Sequence, residues 1–347
     1  MARQFGGNAD SVTSSRNYPR TGNPAGAAPG SSGRPVPARR GALPPADERE
    51  QDASADTWLV VGLYMTTRDT LTIGIGQWLP QPGDPDANLA TALDLTMRLA
   101  AQGADLVVLP ELWPSGYDPA TLPDDVAAAA EPLAGQRGTI LSSLARELGI
   151  WLAAGTVPEI ADGAIYNTAA LYDRSGKLAA WHRKVHLYEA LGEHRTFSAG
   201  DQLTVVQTAE LGTLGLAICF DGDFAETARA LRRAGATTVV LPCAYELEAR
   251  NWWRTLYPAH ALANGQWWVM ANQCGANSSC TLLGESQIIN PQGHFAARAA
   301  GALDDSPPRP ELLLATLELH RETEQAERDN SVLWRTQPQA EVATWRT

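Results

Sequence analysis

The chain predicts a mixed α/β fold on three observations. From residue 70 strand-like and helix-like segments alternate, several strands are near-continuous apolar runs, and the helices end on glycine. Alternation of this kind is how helices come to cover a largely parallel sheet. A run such as ADLVVLPE, from Ala104, fits a strand buried on both faces rather than one with a wet side. No repeat of roughly 20–50 residues is present, which excludes a solenoid or propeller.

Taken in order, LTIGIGQ (Leu71 to Gln77) is the first strand, and NLATALDLTMRLAAQG from Asn88 is an amphipathic helix closed by Gly103. After the ADLVVLPE strand, TILSSLARELG from Thr139 is a helix closed by Gly149, and IWLAAGTVPE is the next strand. NTAALYD and GKLAAWHRK make a hairpin across Arg174-Ser175-Gly176. GTLGLAICF is a strand, FAETARALRRAG a helix closed by Gly235, and TTVVLPCAY a further strand. A Trp-rich helix from Asn251 to Gly265 and the strands WWVMANQ, SQIINPQG and ELLLATLEL complete the body.

Residues 70–320 therefore read as one domain. The first 56 residues contain seven Gly, seven Pro and no Lys, lack hydrophobic periodicity, and fit a disordered extension over residues 1–64. No apolar stretch follows Arg3, and Arg39-Arg40 runs into Gly-Ala-Leu-Pro-Pro, so neither export signal is expected. Met65, just before the first strand, is a candidate initiator. Residues 321–347 are polar with a few Trp and read as a tail or arm.

Composition narrows the function. The 347 residues are 44% hydrophobic and 19% charged, with 39 acidic against 27 basic residues and a net charge of −12. So acidic a chain does not grip nucleic acid or an anionic membrane through its overall field. The best apolar stretch, Trp58 to Met65, falls far short of the roughly 20 residues that span a bilayer. Four cysteines without a CxxC pair make neither a disulfide framework nor a zinc site. The expectation is a cytoplasmic enzyme without a metal.

Three apolar strands run into reactive side chains. Glu111 follows LVVLP, Lys184 follows LAAWHR, and Cys219 follows LGLAI. Strand ends present side chains to a cleft from a rigid support. A thiol, a carboxylate and an ammonium together suit nucleophilic catalysis: the Glu takes the thiol proton, and the Lys holds thiolate and oxyanion by charge. The Phe220 backbone N–H, in the strand-to-helix turn after Cys219, would face that oxyanion with help from the helix dipole. Lys184 stands out because it and Lys177 are the only lysines among the 27 basic residues, and Arg cannot exchange a proton as Lys does. Cys243 also ends a strand but has no Phe-Asp sequel, and reads as pocket wall. Cys274 and Cys280 read as structural thiols, and His186 and His194 as hydrogen-bonded histidines rather than a Cys–His dyad. Trp113, Tyr117, Phe220 and Tyr245 adjoin the strand ends and are expected to line the substrate pocket. The Trp252-Trp253 and Trp267-Trp268 pairs read as core or subunit interface.

Over residues 71–320 the sequence resembles the nitrilase superfamily of carbon–nitrogen hydrolases. The resemblance is carried by GADLVVLPELWPSGY around Glu111, HRKVHLYEALGEHRTFSAGD around Lys184 and GLAICFDGDFAETARALRRAGA around Cys219, supported by IGQW…GDPDANL, MANQCG and GESQIINPQG. It implies a four-layer αββα sandwich with mixed sheets, assembled as a homodimer or larger homo-oligomer. It also implies Glu111 as general base, Lys184 as oxyanion stabiliser, Cys219 as nucleophile, and Glu193 as the second glutamate that positions substrate and supports the Lys. No cofactor or metal is implied. The chain departs from the family at Ala225, where a Pro is usual. The implied reaction is hydrolysis of a small-molecule amide through a Cys thioester. Nitrile and N-carbamoyl amine hydrolysis are the alternatives, although Phe220-Asp221-Gly222 resembles the amidase branches more than the Trp-Glu of true nitrilases. A silent scaffold is disfavoured by the intact residue set. Membrane acyltransferases lack support for want of spans, and glutamine-fed synthetases for want of an ATP-binding domain.

Overall fold

The structure, a computed structural model, describes residues 70–299 and 307–333. The expected extension over 1–64, Met65 as initiator, and the tail beyond residue 333 lie outside the described residues.

The first sheet is built from β1 (Leu71–Gln77), β2 (Leu106–Val108), β3 (Trp151–Ala161), β4 (Ala164–Tyr172), β5 (Leu178–Arg183) and, last in the chain, β14 (Glu311–Leu317). Its order is β14-β1-β2-β3-β4-β5, with β1, β2 and β3 parallel and the outer pairings antiparallel. The second sheet holds β6 (Thr204–Thr208), β7 (Gly212–Leu216), β8 (Thr238–Cys243), β9 (Trp267–Asn272), β12 (Gln287–Ile289) and β13 (Phe295–Arg298), in the order β13-β12-β9-β8-β7-β6. Here β7, β8 and β9 are parallel. A small hairpin pairs β10 (Cys274–Ala276) with β11 (Thr281–Leu283). The two large sheets thus share one pattern of strand directions, but the antiparallel edge strand beside the parallel trio comes last in the chain in the first (β14) and first in the second (β6).

The sheets stack face to face. Ile73, Ile75, Leu106 and Val108 of the first sheet share one buried cluster with Leu214, Leu216, Val240 and Val269 of the second. The outer face of the first sheet is covered by α1 (Pro85–Ala101) and α3 (Gln136–Leu148), whose Leu95, Leu99, Leu141 and Leu144 pack onto Val107 and Leu152. The outer face of the second is covered by α4 (Ala225–Arg233) and α5 (Arg250–Asn264), with Leu231, Trp253 and Tyr257 against Val239, Leu241 and Trp268. This is the expected four-layer αββα sandwich. It explains the near-continuous apolar strands, since each central strand is buried on both faces.

Local chemistry sets the element ends. Pro85 occupies the first turn of α1 and Asp84 caps it, accepting from the Ala87 N–H at 3.0 Å. The helix therefore starts three residues before Asn88, whose side chain instead ties the preceding loop by bonding both Gln81 N and O at 2.7 Å. Two helices escape the sequence reading: the short α2 (Leu122–Ala129), and α6 (Leu319–Asn330), which buries Leu319 and Ala326 at the start of the polar C-terminal stretch.

Candidate active site

Three loops meet where the parallel strands of both sheets end. Glu111 lies three residues beyond β2, Cys219 three beyond β7, and Lys184 directly after β5. In sandwiched α/β sheets the crevice at strand C-termini is the usual place for a ligand.

The Glu111 loop is fixed from both sheets. Its backbone N–H donates to the Cys243 carbonyl at 3.4 Å, and its carbonyl accepts from Gln273 Nε2 at 2.6 Å. The next residue, Leu112, adopts φ 44° and donates to Thr156 Oγ1 at 2.8 Å. Gly155 makes this docking possible. Its φ is +65°, and a Cβ there would lie 2.1 Å from the Pro110 carbonyl oxygen. Lys184 is held through its own N–H on the Asn167 carbonyl, and its carbonyl accepts from Gly200.

Side chains complete a buried ion cluster. Lys184 Nζ donates to Glu111 Oε1 at 2.9 Å and to Glu193 Oε1 at 2.7 Å, all three residues being essentially inaccessible. Glu193 has both oxygens engaged, since Tyr117 donates to Oε1 at 2.8 Å and the Tyr188 N–H to Oε2 at 2.8 Å. Glu111 Oε1 also accepts from Asn167 Nδ2 at 2.8 Å, while its Oε2 is buried without a hydrogen-bond partner. One carboxylate is thus saturated, and the other keeps an oxygen in reserve.

Burial pushes the Glu111 carboxyl above its ordinary 4.5, assisted by the Glu193 charge and opposed by Lys184. Burial alone would depress the Lys184 ammonium, but Glu111 and Glu193 outweigh it and hold it well above 10.5. Cys219 is half-buried, with one side on the cavity. Burial, contact with Cys243 and the Glu111 charge drive its thiol well above 9, with Lys184 only partly opposing. At rest Cys219 therefore carries a thiol, not a free thiolate.

Cys219 itself stands at φ 44°, a conformation that costs a non-glycine residue of order 1–3 kcal/mol. It opens a single 3₁₀ turn, Cys219–Asp223, rather than ending the strand, which stops at Leu216. Helix α4 starts only at Ala225, after an extended Phe224, so its dipole does not begin at Cys219 as expected. Asp221 shapes this turn. Its Oδ2 accepts from the Ile218 N–H and His182 Nε2, while Oδ1 accepts from His186 Nδ1 and the N–H groups of Val185 and His186. The carboxylate clamps the cysteine turn to the residues that follow Lys184, and these bonds hold its pKa far below 3.8 against the cost of burial. This also settles His186, which bonds Asp221.

The cavity in front of Cys219 has a volume of about 280 Å³ and is lined by Tyr117, Phe220 and Tyr245, as expected. Trp113 is not part of it. Its indole is fully buried between the first sheet and its helices and donates to the Ala154 carbonyl at 2.7 Å, because the Leu112 turn points it away from the cleft. Cys243 lies buried behind Cys219. Trp253, Trp267 and Trp268 are core, whereas Trp252 is exposed at the cavity rim. Sequence reading missed Asn167, Asp221 and Asp223. The last accepts from Tyr245 and Tyr257, each at 2.6 Å. Among the described residues no group of three or more His, Cys, Asp or Glu is placed to hold a metal.

Comparison with known proteins agrees with this geometry. The carbon-nitrogen hydrolase family matches residues 72–325. Omega-amidase NIT2-A of Xenopus laevis is 33% identical over 236 residues, 65% of this chain and 83% of that protein. Among solved structures, Saccharomyces cerevisiae Nit3, a member of branch 10 of the nitrilase superfamily, is 28% identical with a TM-score of 0.67 over 75% of this chain and 94% of that one. A mutant amidase from Nesterenkonia sp. AN1, showing covalent addition of the acetamide moiety of fluoroacetamide at its active-site cysteine, is 27% identical with a TM-score of 0.63 over 77% and 98% of the two chains. With the sandwich, the buried Glu–Lys–Glu cluster and the family match in agreement, the chain belongs to the carbon–nitrogen hydrolase family and is a thiol-dependent hydrolase of non-peptide C–N bonds.

Proposed function

We propose that the protein converts a small primary amide to a carboxylate and ammonia, with Cys219 as nucleophile, Glu111 as general base and acid, Lys184 as oxyanion stabiliser and Glu193 as the group that positions Lys184. One observation carries this reading: of the two buried carboxylates around Lys184, only Glu111 keeps an oxygen without a partner. That oxygen takes the thiol proton as sulfur attacks the carbonyl carbon. Negative charge moves to the carbonyl oxygen, where Lys184 and the Phe220 N–H, at the open start of the 3₁₀ turn, stabilise it. Glu111 then delivers the proton to nitrogen and ammonia leaves a thioester. Water loses a proton to Glu111 as it attacks the thioester, and the returning proton regenerates the thiol. No cofactor enters these steps. Amidase relatives support an amide rather than a nitrile or a carbamoyl amine.

We further infer a cytoplasmic homo-oligomer. Its support is a set of apolar side chains exposed on and beside α5, namely Trp252, Leu262, Val332 and Leu333. None of the described helices is long and apolar enough to cross a membrane. Ammonia release from parallel panels of primary amides, nitriles and N-carbamoyl amines tests the reaction, and peptide mapping after fluoroacetamide treatment tests the nucleophile. Turnover confined to nitriles or carbamoyl amines, or an adduct on Cys243 instead of Cys219, would overturn it. Sedimentation velocity tests the oligomer.

A further inference from the structure

The cavity wall carries a charge pattern that amide hydrolysis itself does not need. Three carboxylates, Asp223, Glu246 and Glu248, line it beside the rings of Tyr188, Phe220 and Trp252, and the described lining includes no Lys or Arg. Lys184 is not an exception, since it is buried, does not line the cavity and is engaged by two glutamates. Asp223 is fixed toward the cavity by the hydroxyls of Tyr245 and Tyr257. Glu246 is half-buried, and burial together with the Glu248 charge raises its carboxyl above 4.5, as befits an acid short of a counter-charge.

A substrate ended by a carboxylate would enter this partly desolvated space against like charge and find no cation to receive it. A cationic end would meet the carboxylates and the faces of the rings, which attract cations through their quadrupoles. We propose that the cavity selects amides whose far end is a primary amine or another small cation over amides ended by a carboxylate. The inference rests on the amidase reading above and specifies its substrate class.

The test measures kcat/KM on the full chain for three amides of similar length: pentanamide, 5-aminopentanamide and 4-carbamoylbutanoate. The cationic amide should exceed the anionic one by on the order of 10²-fold, with pentanamide between them. Added salt should narrow the gap by screening it. Joint Glu246→Gln and Glu248→Gln substitution should narrow the cation-to-anion ratio about tenfold, equivalent to roughly 1.4 kcal/mol. If that variant does not fold, the unmodified chain with the three substrates still decides. Equal or better turnover of 4-carbamoylbutanoate overturns the inference while leaving the amidase reading standing. Ammonia from none of the three overturns the inference, and the amide, nitrile and carbamoyl amine panels above then decide the amidase reading separately.

Discussion

Glu111 offers one oxygen to Lys184 and Asn167 and keeps the other free, and this asymmetry fixes how the rate depends on pH. As the proposed base Glu111 works only unprotonated, and its pKa lies above 4.5, so kcat/KM should fall as pH drops through a limb above 4.5. The Cys219 thiol lies well above 9 and in the proposed mechanism is ionised only during attack, so no separate rise should appear near pH 9. A pH–rate profile with a clear step there would mean that a preformed thiolate is the nucleophile. Cys219→Ala should abolish turnover with the fold intact, whereas Cys243→Ala, which removes only the buried neighbour, should retain measurable activity. Lys184→Arg should cost on the order of 10²-fold or more in kcat. A planar guanidinium does not fit between two carboxylates set 2.9 and 2.7 Å from a single nitrogen. Steady-state kinetics beside an unchanged circular dichroism spectrum would check both sets.

Two local features hold the site, the cysteine turn and the glycine within β3, and neither role declares itself in the sequence. Asp221 clamps the cysteine turn to the Lys184 loop, so Asp221→Ala should lose about 3–5 kcal/mol of stability at neutral pH, read by urea unfolding. Its folded pKa lies below the ordinary 3.8, so this contribution is fully present above 3.8 and lost as pH falls through the lower folded value. The gap between native and variant chains should therefore close in strong acid. Gly155→Ala would force the Pro110 carbonyl away and shift Glu111, with an expected kcat loss on the order of 10²-fold. The placement of Glu111, Lys184 and Cys219 at or just beyond strand ends was legible, because buried apolar runs precede Glu111 and Cys219 and a recognisable hairpin strand precedes Lys184. Asp221 and Asn167 act on partners 35 and 56 residues away, which no local pattern encodes. Trp113 misled for the opposite reason: it is near Glu111 in sequence, but the intervening Leu112 turn sends it into the core.

At the scale of the molecule, long periodic segments were readable and most short ones were not, β2 showing through its continuous apolar run. Strands β10, β11 and β12 have only three residues, too few to display an alternation, and β12 showed only through its apolar Ile pair. The stacking of two sheets follows from strands apolar on both faces, whereas the order of strands within each sheet does not. A chain beginning at Met65 retains every described residue and should fold and hydrolyse amides like the full chain. A large drop in melting temperature or a changed oligomeric state would assign a structural role to the residues removed.

Strand β1 pairs along its whole length with β14, Leu71 opposite Leu317 and Gln77 opposite Glu311. During synthesis β1 precedes its neighbour by more than 200 residues, so the growing polypeptide carries an open apolar edge while all of them are made. The first sheet becomes complete only once β14 has been made, when a loop of more than 200 residues closes at once. Premature termination anywhere before Glu311 should accordingly yield not a weakened enzyme but an aggregate.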